Sequence, residues 1–355
     1  MNEYFHAWNL VFEGLPKPFW KLLIKIPDLK YAWNHASYEE LINAGLSPEL
    51  VEKFKKLKDL INPIKAYEKI LDEGICIINN RNDEYPKVLR FLNNHLPPAV
   101  LYFKGNTLLN ERLFISVVGT RKMTGYGEAM TKKIIKDMRN YNVCIVSGMA
   151  DGIDSIAHKT ALEFGIPTVA VLGHGFNHIM YYKKQFASRI QENGYLISEY
   201  PPNTQAQKYH FPLRNRIISG LSSGVLVIEA GEKSGALITA KYALDQGREV
   251  FAVPGNVGNE KSIGTNNLIQ TSAHCVVKGE DILEILKIPV IKKDLLSDFP
   301  PQQSAVIKVL QNSPCGTEEI LLKTAFSPQE LNLIITELEI SGSIKKERDG
   351  KFYLN

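Results

Sequence analysis

The chain has little that would tie it to a membrane, a metal or an oxidising compartment. No apolar run approaches the ~20 residues that cross a bilayer. Glu3 and scattered polar residues give the amino end none of the basic-then-apolar texture of a secretory leader, so a cytoplasmic location is expected. The four cysteines, Cys76, Cys144, Cys275 and Cys315, have no metal-ligand spacing. Three of them lie in apolar runs that read as buried strands, so reduced core thiols and no metal are expected. Two nucleotide signatures are also missing. No G-x-G-x-x-G with an acidic ribose partner follows a strand, and there is no Walker A loop, so no cofactor is expected.

What is present is an ordinary globular composition on a chain of 355 residues, long enough for two or three domains. The net charge of +4 is mild, and its distribution says more. Residues 1–70 carry ten Lys/Arg against nine Asp/Glu, and residues 297–355 carry six against eight. The middle therefore holds 26 basic against 21 acidic residues.

Residues 1–70 read as short amphipathic helices with glycine turns, a helical domain of sterile-alpha-motif or helix-hairpin-helix type. Ser37 and Ser47 serve as N-caps. The basic run Lys53–Lys58 lies on a helix and reads as a solvated face. From residue 71 to 287 the texture changes to continuous apolar strands alternating with helices. That pattern predicts a Rossmann-like, doubly wound, mostly parallel α/β sheet. Residues 288–301 read as a linker. Residues 302–355 read as three helices and a hairpin, a winged helix whose third helix carries Glu330, Glu337 and Glu339 but no cation. Groove-reading helices need cations, so this unit is expected to contact protein or regulate rather than read duplex.

In doubly wound sheets ligands bind beyond the carboxyl ends of the strands. Here those ends carry Gly119-Thr120-Arg121-Lys122, Ser147-Gly148 with Gly152 and Asp154 close behind, and Glu229-Ala230-Gly231. The stretch Lys208–Ala230 adds Lys208, Arg214 and Arg216 with Tyr209, His210 and Phe211 between them, in a loop and an Arg214-Asn215-Arg216 turn. Cations for phosphates and rings for bases equip a single-strand surface. The competing reading places Phe211 in the core and pairs the arginines with Glu199 or Glu229.

Asp154 and His158 stand four apart on a helix and share a face. They are expected to support a loop, Asp154 accepting amides with His158 as partner. Ser234-Gly235 at a helix start reads as an N-cap or anion nest. Glu199 and Glu229 are expected to order the arginines. No catalytic residue is assigned.

Six segments together resemble the DNA processing protein A (DprA, or Smf) family. They are VVGTRKMTGYG (117–127), VSGMADGIDSIAH (146–158), SEYPP (198–202), HFPLRNRIISGLS (210–222), VIEAGEKSGALITA (227–240) and GREVFAVPG (247–255). The resemblance implies a homodimer that binds single-stranded DNA, contacts RecA and helps it displace single-strand-binding protein in natural transformation and recombination. It places the strand-binding pocket at Arg121, Lys208, Phe211 and the Arg214/Arg216 turn, supported by Gly119 and Ser147-Gly148. Where the family has Gly-x-Asp-x-x-Tyr-Pro-x-x-Asn, this chain has Gly175-Phe176-Asn177-His178-Ile179-Met180-Tyr181-Tyr182. The competing class is a nucleotide enzyme similar to the lysine decarboxylase-like phosphoribohydrolases. The nearest run here, from Glu229, lacks that family's double glycine and downstream Glu.

Overall fold

The computed structural model describes residues 2–93, 95–105, 112–288, 299–347 and 349–354. They fall into two compact units, Met1–Pro289 and Val290–Asn355. Most of the expected linker, residues 289–298, lies outside the described residues.

The first unit opens with helices α1 (Asn2–Phe12), α2 (Pro16–Lys25), α3 (Leu29–Asn34), α4 (Tyr38–Asn43), α5 (Pro48–Lys58) and α6 (Pro63–Asp72). Short polar side chains start several of them by accepting the free amides of a first turn. Asp28 caps α3, Ser37 and Glu40 form a reciprocal box on α4, Ser47 caps α5 and Asn62 caps α6. Trp8 organises their core, with ring centroids 4.4 Å from Phe54, 5.4 Å from Trp33 and 5.5 Å from Phe12. Burial of such rings contributes ~1.5–3 kcal/mol each, so short helices hold by packing rather than propensity.

Strands and helices then alternate: β1 (Cys76–Asn79), α7 (Lys87–Arg90), β2 (Val100–Gly105), β3 (Leu113–Val118), α8 (Gly125–Asp137), β4 (Val143–Ser147), α9 (Ile153–Glu163), β5 (Thr168–Leu172), α10 (Lys184–Asn193) and β6 (Gly194–Ser198). The series continues with α11 (His210–Leu221), β7 (Gly224–Val227), α12 (Gly235–Asp245), β8 (Glu249–Ala252), α13 (Ile263–Thr271), β9 (His274–Cys275) and α14 (Gly279–Ile285). The sheet order is β1-β2-β6-β5-β4-β3-β7-β8-β9. Strands β6 through β9 in that order are parallel, while β1 and β2 run antiparallel at one end. The doubly wound, mostly parallel sheet is thus as the alternation predicts.

Pleating sends Ile115 and Val117 of β3 toward α8, α9 and α14 on one face, and Val118 toward α11 and α12 on the other. The amino-terminal helices share the core of Ala170, Leu172 and Leu196 on the sheet. Polar contacts fix that docking: Asn9 Nδ2 donates to the Tyr102 hydroxyl at 3.1 Å and to the Glu199 carbonyl at 3.0 Å.

Chain order runs from β3 outward to β6, then jumps back across β3 to β7, β8 and β9. At such a reversal the following connections diverge and leave a crevice at the carboxyl edge. The switch point here lies between β3 and β7.

The cysteines correct one expectation. Cys144 and Cys315 are buried, but Cys76 and Cys275 are exposed, because β1 and β9 are the outermost strands of the sheet.

The second unit comprises α15 (Pro301–Asn312), α16 (Thr317–Lys323), α17 (Pro328–Ile340) and the hairpin β10 (Ile344–Lys346) with β11 (Phe352–Leu354). Its core gathers Val306, Ile320, Leu331, Ile335, Leu338 and Phe352. Ser327 and Glu330 form a capping box that starts α17, which accounts for one of the three glutamates on that helix. No helix among the described residues is long and apolar enough to cross a membrane.

Candidate nucleic-acid interface

A cleft of about 570 Å³ opens at the switch point. Gly119, Thr120 and Arg121 enter it from the loop after β3, Asp154 from α9, and Lys208, Phe211, Arg214 and Asn215 from the start of α11. Ser234 and Gly235 close it from the amino end of α12. Ser234 is the α12 N-cap, accepting the Ala236 amide at 3.3 Å, and the Asn215 amide donates to the Gly235 carbonyl at 3.4 Å. The structure therefore brings together most of the residues singled out from three separated motifs.

The exposed layer is cationic and aromatic. The Arg121 guanidinium carbon lies 5.6 Å from the centroid of the half-buried Phe211 ring, a cation–π geometry. Arg121 and Lys208 are exposed, and among the described residues neither has a carboxylate partner. Lys122 is exposed just outside the cleft wall, its backbone amide tied to Thr120 Oγ1.

The layer beneath is built from the other predicted residues. Arg214 is 4% exposed and donates through Nη1 to the carbonyls of Gly148 (2.8 Å) and Val171. Burial pulls its ionisation down to about 10, opposed by the Asp154 charge, so it stays a cation at neutral pH. Burial likewise pushes the Asp154 carboxyl up, while Arg214 and the amides of Ala150 and Gly148 pull it down. Gly148 permits this arrangement, because a Cβ there would fall 2.3 Å from Arg214 Nη1. Gly152 turns into α9 at φ +79°, where a side chain would be strained. Ser147 Oγ is turned into the sheet and donates to the Val117 carbonyl at 2.7 Å.

Five expectations need correction. Arg216 does not face the cleft; it is 2% exposed, and its Nη2 meets both Glu199 oxygens at 2.7 and 2.5 Å. Arg214 and Arg216 stand on helix α11 rather than in a turn, and both guanidinium groups point inward, so Arg214 forms the floor and Arg216 the interior. Glu229 orders no arginine: it accepts the Thr124 amide at 2.9 Å and the Thr124 hydroxyl, fixing the start of α8. His158 is not the partner of Asp154. Its Nδ1 meets Thr168 Oγ1 at 2.6 Å, and burial, with the Arg214 and Lys183 charges, lowers its ionisation to about 3. Of the three rings beside Lys208, His210 is also inside, stacked at 4.1 Å on Tyr200.

Sequence reasoning left Lys183 unassigned. Its ammonium donates to the Met149 carbonyl at 2.8 Å and pairs with Asp151 at 2.8 Å, bracing the β4–α9 loop. Met149 itself adopts φ +54°, a conformation that the composition Ser147-Gly148-Met149 gives no hint of. Among the described residues no group of three or more His, Cys, Asp or Glu side chains is placed to hold a metal ion.

Residues 76–287 match the family model of DNA recombination-mediator protein A, and residues 293–350 match that of the DprA winged helix domain. The chain belongs to the DprA family. DNA processing protein DprA of Bacillus subtilis is 41% identical over 250 residues, which span 70% of this chain and 82% of the relative. The X-ray structure of DprA from Streptococcus pneumoniae superposes with a TM-score of 0.66 at 30% identity, over 80% of this chain and 98% of that one. DprA from Helicobacter pylori, whose structure concerns its single-stranded DNA binding mode, superposes with a TM-score of 0.53 at 28% identity, over 60% and 95% of the two chains. The DprA winged-helix match agrees with the three helices and hairpin of the second unit.

Proposed function

We propose that this chain binds single-stranded DNA in the switch-point cleft and, as a homodimer, helps RecA onto strands covered by single-strand-binding protein. The observation that carries the strand-binding half is the pairing of Arg121 with the Phe211 ring beside Lys208 at the open rim of the cleft. Free cations hold phosphates and an adjacent ring face takes a base, without demanding a sequence. Buried Arg214 contributes positive potential from below, where low dielectric strengthens it. Membership in a family described as DNA recombination-mediator protein A supports the RecA-loading half, and the single-stranded DNA binding mode studied in the Helicobacter pylori protein supports the strand-binding half.

The role needs no chemistry from the protein. Asp154, the carboxylate of the cleft wall, is engaged by the Gly148 amide at 3.1 Å, and His158 is committed to Thr168 in the interior. The test has two arms. A labelled dT oligonucleotide should shift with the wild-type chain in a gel. RecA filament formation on strand precoated with single-strand-binding protein should speed up when the chain is added. A chain that binds the oligonucleotide but leaves filament formation unchanged contradicts the RecA half alone.

A further inference from the structure

Between Gly14 and Pro27 the chain carries Lys17, Lys21 and Lys25 and no acidic residue. All three lysines fall on α2 at four-residue spacing, so they share one face in steps of about 6 Å along the axis. They are exposed, and the only other exposed residue of α2 is Ile24. Such a row works against its own helix. Like charges four residues apart repel, and Lys17 sits in the first turn, where the helix dipole disfavours a cation. On other helices exposed lysines are balanced: Lys55 pairs with Glu52 at 2.9 Å on α5, and Lys132 with Glu128 at 2.7 Å on α8. On α2, Lys21 donates to the Gly45 carbonyl at 2.9 Å, and among the described residues neither Lys17 nor Lys25 has a carboxylate partner.

The row starts near the switch-point cleft. The turn into α2 packs so closely on Tyr200 that a Cβ on Gly14 would lie 2.5 Å from the tyrosine ring. Tyr200 stacks on His210 at 4.1 Å, and His210 meets the exposed Tyr209, the neighbour of Lys208, edge-on at 4.5 Å. The acidic residue of that turn, Glu13, is already paired with Lys53 at 2.6 Å. Further along α2, Trp20 Nε1 donates to the Pro97 carbonyl at 2.6 Å, just before β2. Because β2 runs antiparallel to β6, with Tyr102 opposite Ser198, that point lies at the carboxyl edge of the parallel strands. Helix α2 is therefore held against the same rim as the cleft, at the β6–β2 end of the sheet.

We infer that α2 takes one phosphate row of a DNA duplex while the cleft holds a single strand, so that the chain is fitted to a junction between the two. The junction rests on the strand-binding reading of the cleft. A basic stripe along one helix face is the footprint of a polyanion. The two surfaces differ in what they offer besides charge. A single-strand path supplies rings to unpaired bases, as Phe211 does in the cleft. Helix α2 exposes no ring: Phe19 is in the core, and Trp20 is half-buried with its N–H committed to Pro97. Cations without rings suit a duplex, whose bases are already stacked and whose backbone carries the charge. An anionic membrane fits less well, because Ile24 alone gives no apolar face to insert.

The experiment measures fluorescence anisotropy of the full chain with a dT tail of about 12 nucleotides, a blunt DNA hairpin, and that hairpin carrying the tail. For wild type, the slope of log affinity against log salt should be steeper for the tailed hairpin than for the bare tail by about 2.7, from three duplex phosphates at about 0.9 each. Lys17→Gln, Lys21→Gln and Lys25→Gln together should remove that increment and the binding of the blunt hairpin, with bare-tail affinity within about twofold of wild type and melting unchanged. Lys17→Arg, Lys21→Arg and Lys25→Arg together should bind all three probes like wild type, since the charge is kept. Arg121→Ala should lose the bare tail and keep the blunt hairpin. If the glutamine variant binds the tailed hairpin like wild type, α2 is not a duplex surface. If it weakens the bare tail as much as the tailed hairpin, the row holds single strand and the junction is wrong. If its only loss is binding to phosphatidylglycerol vesicles, the row serves a membrane and the inference fails. Normal bare-tail binding by Arg121→Ala overturns the cleft reading, and the junction with it, while the blunt hairpin still reports on α2.

Discussion

The guanidinium of Arg121, from the loop after β3, sits 5.6 Å from the ring centre of Phe211, near the start of α11. Neither residue is positioned by its own neighbours in sequence. The parallel pairing of β3 with β4 and β7 brings their loops to one edge. The α11 helix then presents Phe211 toward that edge while directing Arg214 and Arg216 inward. One stretch of chain so supplies both the contact surface and its foundation.

Replacing Phe211 with Ala should cost roughly 1–3 kcal/mol of binding to a dT oligonucleotide, the range for losing one stacking platform. Phe211→Tyr should keep most of the affinity, and Lys208→Ala combined with Phe211→Ala should abolish gel shifts. Because Lys208 is exposed and Phe211 half-buried, melting of the double variant should change little beside its loss of binding.

The Arg216–Glu199 pair should behave oppositely. Both groups are 2% exposed, and removing one leaves the other charge buried and unpaired. Arg216→Ala is expected to lower unfolding free energy by about 3–5 kcal/mol in urea titrations. At temperatures where the variant remains folded, its oligonucleotide affinity should be close to wild type.

Gly148→Ala tests the foundation of the cleft. The new methyl would lie 2.3 Å from Arg214 Nη1, so the guanidinium must leave the Gly148 carbonyl or the loop must move. Either shift should weaken strand binding by tenfold or more, about 1.4 kcal/mol, together with a lower melting temperature. Gly258→Ala, outside the cleft and where the added atom meets nothing within 4 Å, is the matched control and should be neutral for stability and for binding.

Two buried histidines predict an acid limb in stability. Burial lowers His6 to about 4 and, with nearby positive charge, His158 to about 3. The unfolded chain takes up these protons near the ordinary value of ~6.5, so it binds more protons than the native state below that pH. Stability is then fully present above about 6.5 and falls as pH drops toward 4, by up to ~1.4 kcal/mol per pH unit for each histidine. Urea midpoints measured across that window should decline, and a His6→Gln, His158→Gln double variant should flatten the decline.

Much of this was legible in the sequence, and the failures have physical causes. The sheet could be read because a strand covered on both faces must be apolar throughout, as in Val143–Ser147 and Thr168–Leu172. Helix α6 begins at Asn62-Pro63, where Pro at the first helical position stands behind an Asn cap. Arg121, Lys208 and Phe211 were found by composition and do share a cleft. Arg216 was misplaced because composition does not say where a long side chain ends; only its register on α11, facing Glu199, decides that. The exposure of Cys76 and Cys275 depends on which strands lie outermost, and strand order is invisible in a list of strands.

The most direct test of the central claim is the salt dependence of single-strand binding. Each phosphate held by a cation should contribute about −0.7 to the slope of log affinity against log salt. Titration of a labelled dT oligonucleotide at several salt concentrations should therefore give slopes shallower by about 0.7 for Arg121→Ala and again for Lys208→Ala. Slopes unchanged from wild type in both variants would mean that neither side chain meets a phosphate, and that the strand is held elsewhere.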